Sequence, residues 1–173
     1  MLKNKPSTIT QKEKDLFAKA MSEPMLVPDK DASSVVDAKL IHAIDIGDIS
    51  SLNIQDITAE QSIFFKREVI SEAKFKKFAR GKWYVPTPVT SLDLHGLTIE
   101  ETCGAVADVM AIWQSQQISC GLLIHGKSQH SAYAKIKSFL AAWLKTLTPV
   151  LAYASARNQD GGTGAIYVLL KKV

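Results

Sequence analysis

Beyond residue 89 the apolar positions fall into runs of two alternating periods. Residues 91–95 read as a strand in which Leu92 and Leu94 take one face while Asp93 and His95 take the other. Thr98 then opens a helix as its N-cap, and Glu101 follows at the spacing of a capping box. Ile99, Cys103, Val106, Met110 and Trp113 step by four and three along that helix and form one apolar face. Residues 121–124 are apolar on both sides of the pleat, as a strand covered on both faces requires. A second helix places Tyr133, Ile136, Leu140, Trp143 and Leu147 on its buried side and stops at Pro149. Residues 150–154 and 165–170 supply two further strands. The resulting order, βαβαββ, predicts an α/β two-layer sandwich over residues 89–173.

The pattern upstream is different. Residues 1–60 are polar and broken by Pro6, Pro24 and Pro28, with one short helical piece from Glu13 to Met21 where Leu16, Phe17 and Ala20 line up. They are expected to form a flexible or peripherally packed arm. Residues 61–81 mix charge with apolar residues at helical spacing and end at Gly81, a suitable helix stop. The two prolines in residues 83–88 then disfavour helix, so residues 61–88 read as a basic helix followed by an extended linker.

Composition narrows the class. No run of about 18 apolar residues exists and the N-terminus lacks the apolar core of a signal peptide, so a cytoplasmic protein with no membrane partner is expected. Cys103 and Cys120 match neither a zinc nor a redox spacing and read as reduced thiols filling core space. The net charge of +4 is unevenly spread. Residues 1–65 hold seven Lys or Arg against ten acids (−3), residues 66–82 seven against two (+5), and residues 83–173 seven against five (+2). Within the basic stretch Lys66, Arg67, Lys74, Lys76, Lys77, Arg80 and Lys82 are candidate phosphate contacts, and Phe75, Phe78, Trp83 and Tyr84 are stacking surfaces or core anchors. The bland reading is a solvated amphipathic helix packed on the domain.

If the strands at 91–95, 121–124 and 150–154 are parallel and joined by right-handed crossovers, their carboxyl ends share one sheet edge. Asp93-Leu94-His95-Gly96, His125-Gly126-Lys127-Ser128 and the loop from Ser155 to Gly164, with Arg157 and Gly161-Gly162-Thr163-Gly164, converge there. A carboxylate in a strand is costly to bury without a partner, and two positions on lies a histidine, which moves protons near neutral pH. Asp93 orienting His95 is one reading; Asp93 capping its own loop is the other. Gly96 and Gly126, each following a strand-end histidine, let backbone amides approach a phosphate, which Lys127 or Arg157 can hold by charge. Gly161, Gly162 and Gly164 form a second candidate anion nest or simply a tight turn.

Residues 92–98 (LDLHGLT), 124–127 (IHGK) and 161–171 (GGTGAIYVLLK) together resemble the Smr (small MutS-related) domain, over residues 90–172. Glu13-Lys14-Asp15-Leu16-Phe17 and the basic stretch through Gly81 resemble the upstream parts of short, free-standing bacterial Smr proteins. The resemblance implies a fold like the C-terminal domain of bacterial translation initiation factor three. It also implies endonuclease activity on DNA or RNA, including cleavage of messenger RNA on stalled ribosomes. Nucleic acid and the ribosome are therefore the partners it points to. The family's acidic-His motif maps onto Asp93 and His95, and its His-Gly-x-Gly motif onto residues 125–128. Ser128 departs from the pattern by replacing the second glycine.

On RNA, His95 or His125 would take the 2′-hydroxyl proton, Asp93 would hold the imidazole, and Lys127 or Arg157 would stabilise the developing charge. On DNA a water would be activated instead. Few other carboxylates accompany Asp93, so no dedicated metal site and no cofactor are predicted; a divalent ion, Mg or Mn, held by Asp93 is the alternative. The competing class is a non-catalytic module that grips nucleic acid or a ribosome with the same edge.

Overall fold

The computed structural model describes residues 47, 49–127 and 134–172, which lie in one compact unit, Asp37–Val173. The helical piece expected at Glu13–Met21, and with it Ser128 and Tyr133, falls outside the described residues.

Among the described residues five strands and three α-helices follow in the order β1 (Phe64–Lys66), α1 (Glu72–Ala79), β2 (Ser91–Asp93), α2 (Ile99–Ser115), β3 (Cys120–Ile124), α3 (Lys135–Trp143), β4 (Val150–Ser155) and β5 (Ala165–Leu170). From β2 onward this is the βαβαββ order expected from the sequence. The strands line up as β1-β4-β5-β3-β2, with β2 parallel to β3 and every other neighbouring pair antiparallel. β2, β3 and β4 therefore all point one way. Their carboxyl ends and the start of β5 share one edge, although β5 is inserted between β3 and β4.

The segment expected to be one basic helix over residues 61–81 is instead a strand, a turn and a shorter helix. Phe64, Phe65 and Lys66 pair with Ala154, Tyr153 and Ala152 of β4, and Ile63 and Ser155 exchange two hydrogen bonds beside them. Two adjacent phenylalanines suit a pleated edge, and pairing with a preformed sheet outweighs a weak local helical period. Ser71 then caps α1 by accepting from the Lys74 amide at 3.4 Å. Gly81, at φ +66, closes the helix, with the Gly81 and Lys82 amides donating to the Phe78 and Lys77 carbonyls.

Residues 89–173 form the two layers expected, and α1 adds a cover on the second face of the sheet. α2 and α3 cover one face of the sheet through Val106, Met110, Trp113, Leu140 and Trp143, which pack on Leu123, Tyr153, Ile166 and Val168. On the other face Ile70, Phe78 and the partly buried Phe75, Trp83 and Tyr84 cover Cys120, Leu122, Ala154 and Tyr167. The β3 residues thus alternate between two cores, as their apolar run requires. The linker after α1 is docked through Trp83 and Tyr84 rather than extended into solvent. Thr98 and Glu101 form the capping box that opens α2, and both cysteines are free and buried.

Residues 49–60 also pack on the domain. The Ile57 amide donates to Ser138 Oγ, its carbonyl accepts from the Ala134 amide, and its side chain joins the core beside α3. No helix among the described residues is long and apolar enough to cross a membrane.

Candidate active site

β2 ends at Asp93, and the chain turns immediately through His95 and Gly96, the latter at φ +78. Asp93 Oδ1 accepts from the His95 backbone amide at 3.0 Å and lies 2.7 Å from His95 Nδ1. One carboxylate oxygen thus both caps the loop and lies against the ring nitrogen. Burial pulls the Asp93 carboxyl upward, but the backbone and ring hydrogen bonds from His95 outweigh it and hold the group below its ordinary range. The His95 side chain is 78% exposed. With Nδ1 directed at the carboxylate, Nε2 is the ring nitrogen that Asp93 does not engage.

His125 follows β3 in the same way, with Gly126 at φ +73, but its ring is only 7% exposed. Nδ1 lies 2.8 Å from the Gly126 carbonyl, so it donates and Nε2 carries the lone pair, which finds no partner among the described residues. Burial pushes the ring down to about 4, with the Lys137 charge adding and the Gly126 bond opposing. The imidazole is neutral in the folded protein and protonated more readily in the unfolded chain, so stability is lost as pH falls from 6.5 toward 4. The shift corresponds to on the order of 3 kcal/mol. The melting temperature is expected to drop across that window, and to drop much less in His125→Gln. A parallel decline in both proteins would refute the assignment.

His95, Gly96, His125, Gly126 and the first turn of α3, Ala134–Lys137, line one cleft of about 280 Å³. Sequence reasoning does not single out Lys137, because a lysine in a helix's first turn is ordinarily solvated. Here it is fully buried, and its Nζ donates to the Thr58 and Ala59 carbonyls at 3.2 and 2.8 Å. Burial, with help from Lys127 and against the pull of Glu60, lowers its pKa. Glu60 lies on the same packed segment, 3.7 Å from Lys127 Nζ and 3.5 Å from the Thr163 hydroxyl that donates to it. Among the described residues no three His, Cys, Asp or Glu side chains gather as a metal site would need.

Other candidates from the sequence lie elsewhere. Arg157 does not face the cleft: it is held by Asp160 and by the Tyr167 hydroxyl, on the face covered by α1. Gly161, Gly162 and Gly164 do not present an anion nest, since their amides donate to the Asn158, Arg157 and Gly161 carbonyls. Their turn instead clamps the site, because the Gly164 carbonyl accepts from both the His125 and Gly126 amides at 3.0 Å. Lys74, Lys76, Lys77 and Arg80 are exposed on α1, across the sheet from the cleft.

The pairing of Asp93 with His95 beside a His-Gly turn is accompanied by a match of residues 92–171 to the family model of the Smr domain. The chain carries an Smr domain. It is 30% identical over 114 residues to the ribosome rescue factor SmrB of Aliivibrio fischeri, covering 66% of this chain and 60% of that protein. It is also 30% identical over 106 residues to the SmrB of Photobacterium profundum, covering 61% and 56%. The match thus spans less than two thirds of these relatives' length. The crystal structure of YdaL, a stand-alone small MutS-related protein from Escherichia coli, superposes with a TM-score of 0.61 at 29% identity, covering 69% of this chain and 91% of that one.

Proposed function

We propose that this Smr domain is an endonuclease that breaks phosphodiester bonds in DNA or RNA, with His95 as the proton-transferring residue and Asp93 as its orienting carboxylate. The observation that carries the reading is the 2.7 Å Asp93–His95 contact at the mouth of the cleft. A carboxylate on Nδ1 fixes the tautomer that leaves Nε2 able to accept a proton, and it stabilises the imidazolium that forms. On RNA the proton comes from the 2′-hydroxyl, whose oxygen attacks the adjacent phosphorus while the 5′ oxygen leaves and is protonated from solvent. On DNA a water molecule takes the place of the hydroxyl.

Lys127, half exposed beside the cleft, is the group suited to meet the phosphate. His125 is better suited to positioning the Gly126–Lys127 turn than to proton transfer, because its ring is buried. The name of the SmrB relatives, ribosome rescue factor, suggests messenger RNA on a stalled ribosome as the natural setting.

The test is cleavage of matched single-stranded RNA, duplex DNA and supercoiled plasmid by the full chain. The Asp93→Ala/His95→Ala double variant and a chelator arm serve as controls. Cutting by the wild type that disappears in the double variant supports the reading. Equal cutting by both proteins removes it, and tight binding with no cutting of any substrate replaces it with a non-catalytic binding module.

A further inference from the structure

We propose that the face of the sheet opposite the cleft, at its β1 edge, is a separate platform for single-stranded nucleic acid. Phe64 stacks on a base there, and Lys74, Lys76, Lys77 and Arg80 hold the flanking phosphates. Phe64 is 72% exposed, an unusual position for a phenylalanine ring on an edge strand. Its ring centroid lies 6.0 Å from Phe75 of α1, which in turn lies 6.0 Å from the buried Phe78. The exposed ring is thus anchored at the end of an aromatic ladder running into the core and has little freedom to lose on stacking.

Charge selects the partner. α1 places Lys76 and Arg80 four residues apart, and Lys74, Lys77 and Arg80 at successive three-residue steps, so adjacent turns carry neighbouring cations. None of these four is ion-paired among the described residues, whereas Lys66 is paired with Glu72 at 2.9 Å. An exposed aromatic ring beside unneutralised cations is complementary to a strand whose bases are free to stack. A duplex offers phosphates but keeps its base faces covered. The sheet order separates the two sites. β1 lies three strand spacings from β3, about 14 Å at about 4.8 Å each, and the platform faces away from α3. A strand held there is therefore bound independently of the cleft, and the proposal does not depend on cleavage.

The experiment measures binding of ten-nucleotide single strands, ribo and deoxyribo, and of a ten-base-pair duplex, by fluorescence anisotropy across a salt series. The full chain carries Asp93→Asn throughout, so that weaker binding is not confused with cleavage of the probe. Phe64→Ala is expected to weaken single-strand binding by about five-fold or more and to leave duplex binding unchanged, while Phe64→Trp restores it. The quadruple Lys74/Lys76/Lys77/Arg80→Gln variant is expected to weaken both, lowering the single-strand salt slope by about 0.7 for each phosphate that is no longer neutralised. Phe64→Ala binding single strands like its parent overturns the proposal, as does an equal weakening on single strand and duplex. Oligonucleotide affinity that neither variant changes overturns it as well.

Discussion

Asp93→Asn is expected to lower single-turnover cleavage by roughly 100- to 10,000-fold while leaving the melting temperature close to that of the wild type. The substitution keeps size and shape, and the amide oxygen can still accept the His95 backbone hydrogen bond that closes the turn. What it loses is the charge on the oxygen 2.7 Å from Nδ1. Both contacts fall on Oδ1, so the amide oxygen that keeps the backbone bond also keeps Nδ1 protonated, and what disappears is the negative charge that makes Nε2 a better proton acceptor. The imidazolium formed during the reaction also loses its counter-charge.

His95→Ala removes the acceptor itself, and because the two groups act as a unit, the double variant is expected to be scarcely worse than His95→Ala alone. Additive effects would show that Asp93 and His95 act separately. The Asp93 carboxyl is held below its ordinary range, so it stays ionised throughout the neutral region. A rate that followed Asp93 protonation near pH 7 would contradict the arrangement.

What the sequence discloses about this protein depends on whether the determining contacts are local. The capping box at Thr98 and Glu101, the alternation of Leu92, Asp93 and Leu94, and the two-sided apolar run of β3 are set within a few residues, and each appears where the pattern places it. The Asp93–His95 contact is of the same kind, two residues apart in one turn. Contacts between distant segments leave no such trace. Nothing in residues 61–66 marks them as partners of β4, about 90 positions away, because a ladder is specified jointly by both strands. The burial of Lys137 is invisible for a related reason: the carbonyls that satisfy it belong to Thr58 and Ala59, on a segment that reads as a loose arm. Sequence reasoning misplaces Arg157 because proximity along the chain to the GGTG turn does not say which face of the sheet a long side chain takes. Asp160 and Tyr167 decide that. The turn's own amides are equally ambiguous, since four residues rich in glycine can bind an anion or close on their own carbonyls.

Gly121→Ala is expected to be the most destabilising single-methyl change in the β3 core. A Cβ at this position would lie 2.1 to 2.4 Å from three atoms of the Trp113 indole, well inside van der Waals contact. Neither side can give way easily. Gly121 is paired on β3 with Val168 of β5, so its backbone is fixed by the sheet. Trp113 is fully buried against the α2–α3 core, and its Nε1 donates to the Val89 carbonyl at 2.7 Å. Moving the ring by more than an ångström would break that bond and leave a buried donor unsatisfied. Overpacking with the rupture of one hydrogen bond sets the penalty at about 3 kcal/mol or more, a fall in melting temperature on the order of 10 °C. Trp113→Leu alone should also destabilise, by leaving a cavity and removing the hydrogen bond to Val89. In Gly121→Ala/Trp113→Leu the methyl occupies part of that cavity, so the double variant should be markedly more stable than the sum of the two single effects. Simple additivity would mean that the indole does not lie on the strand at Gly121.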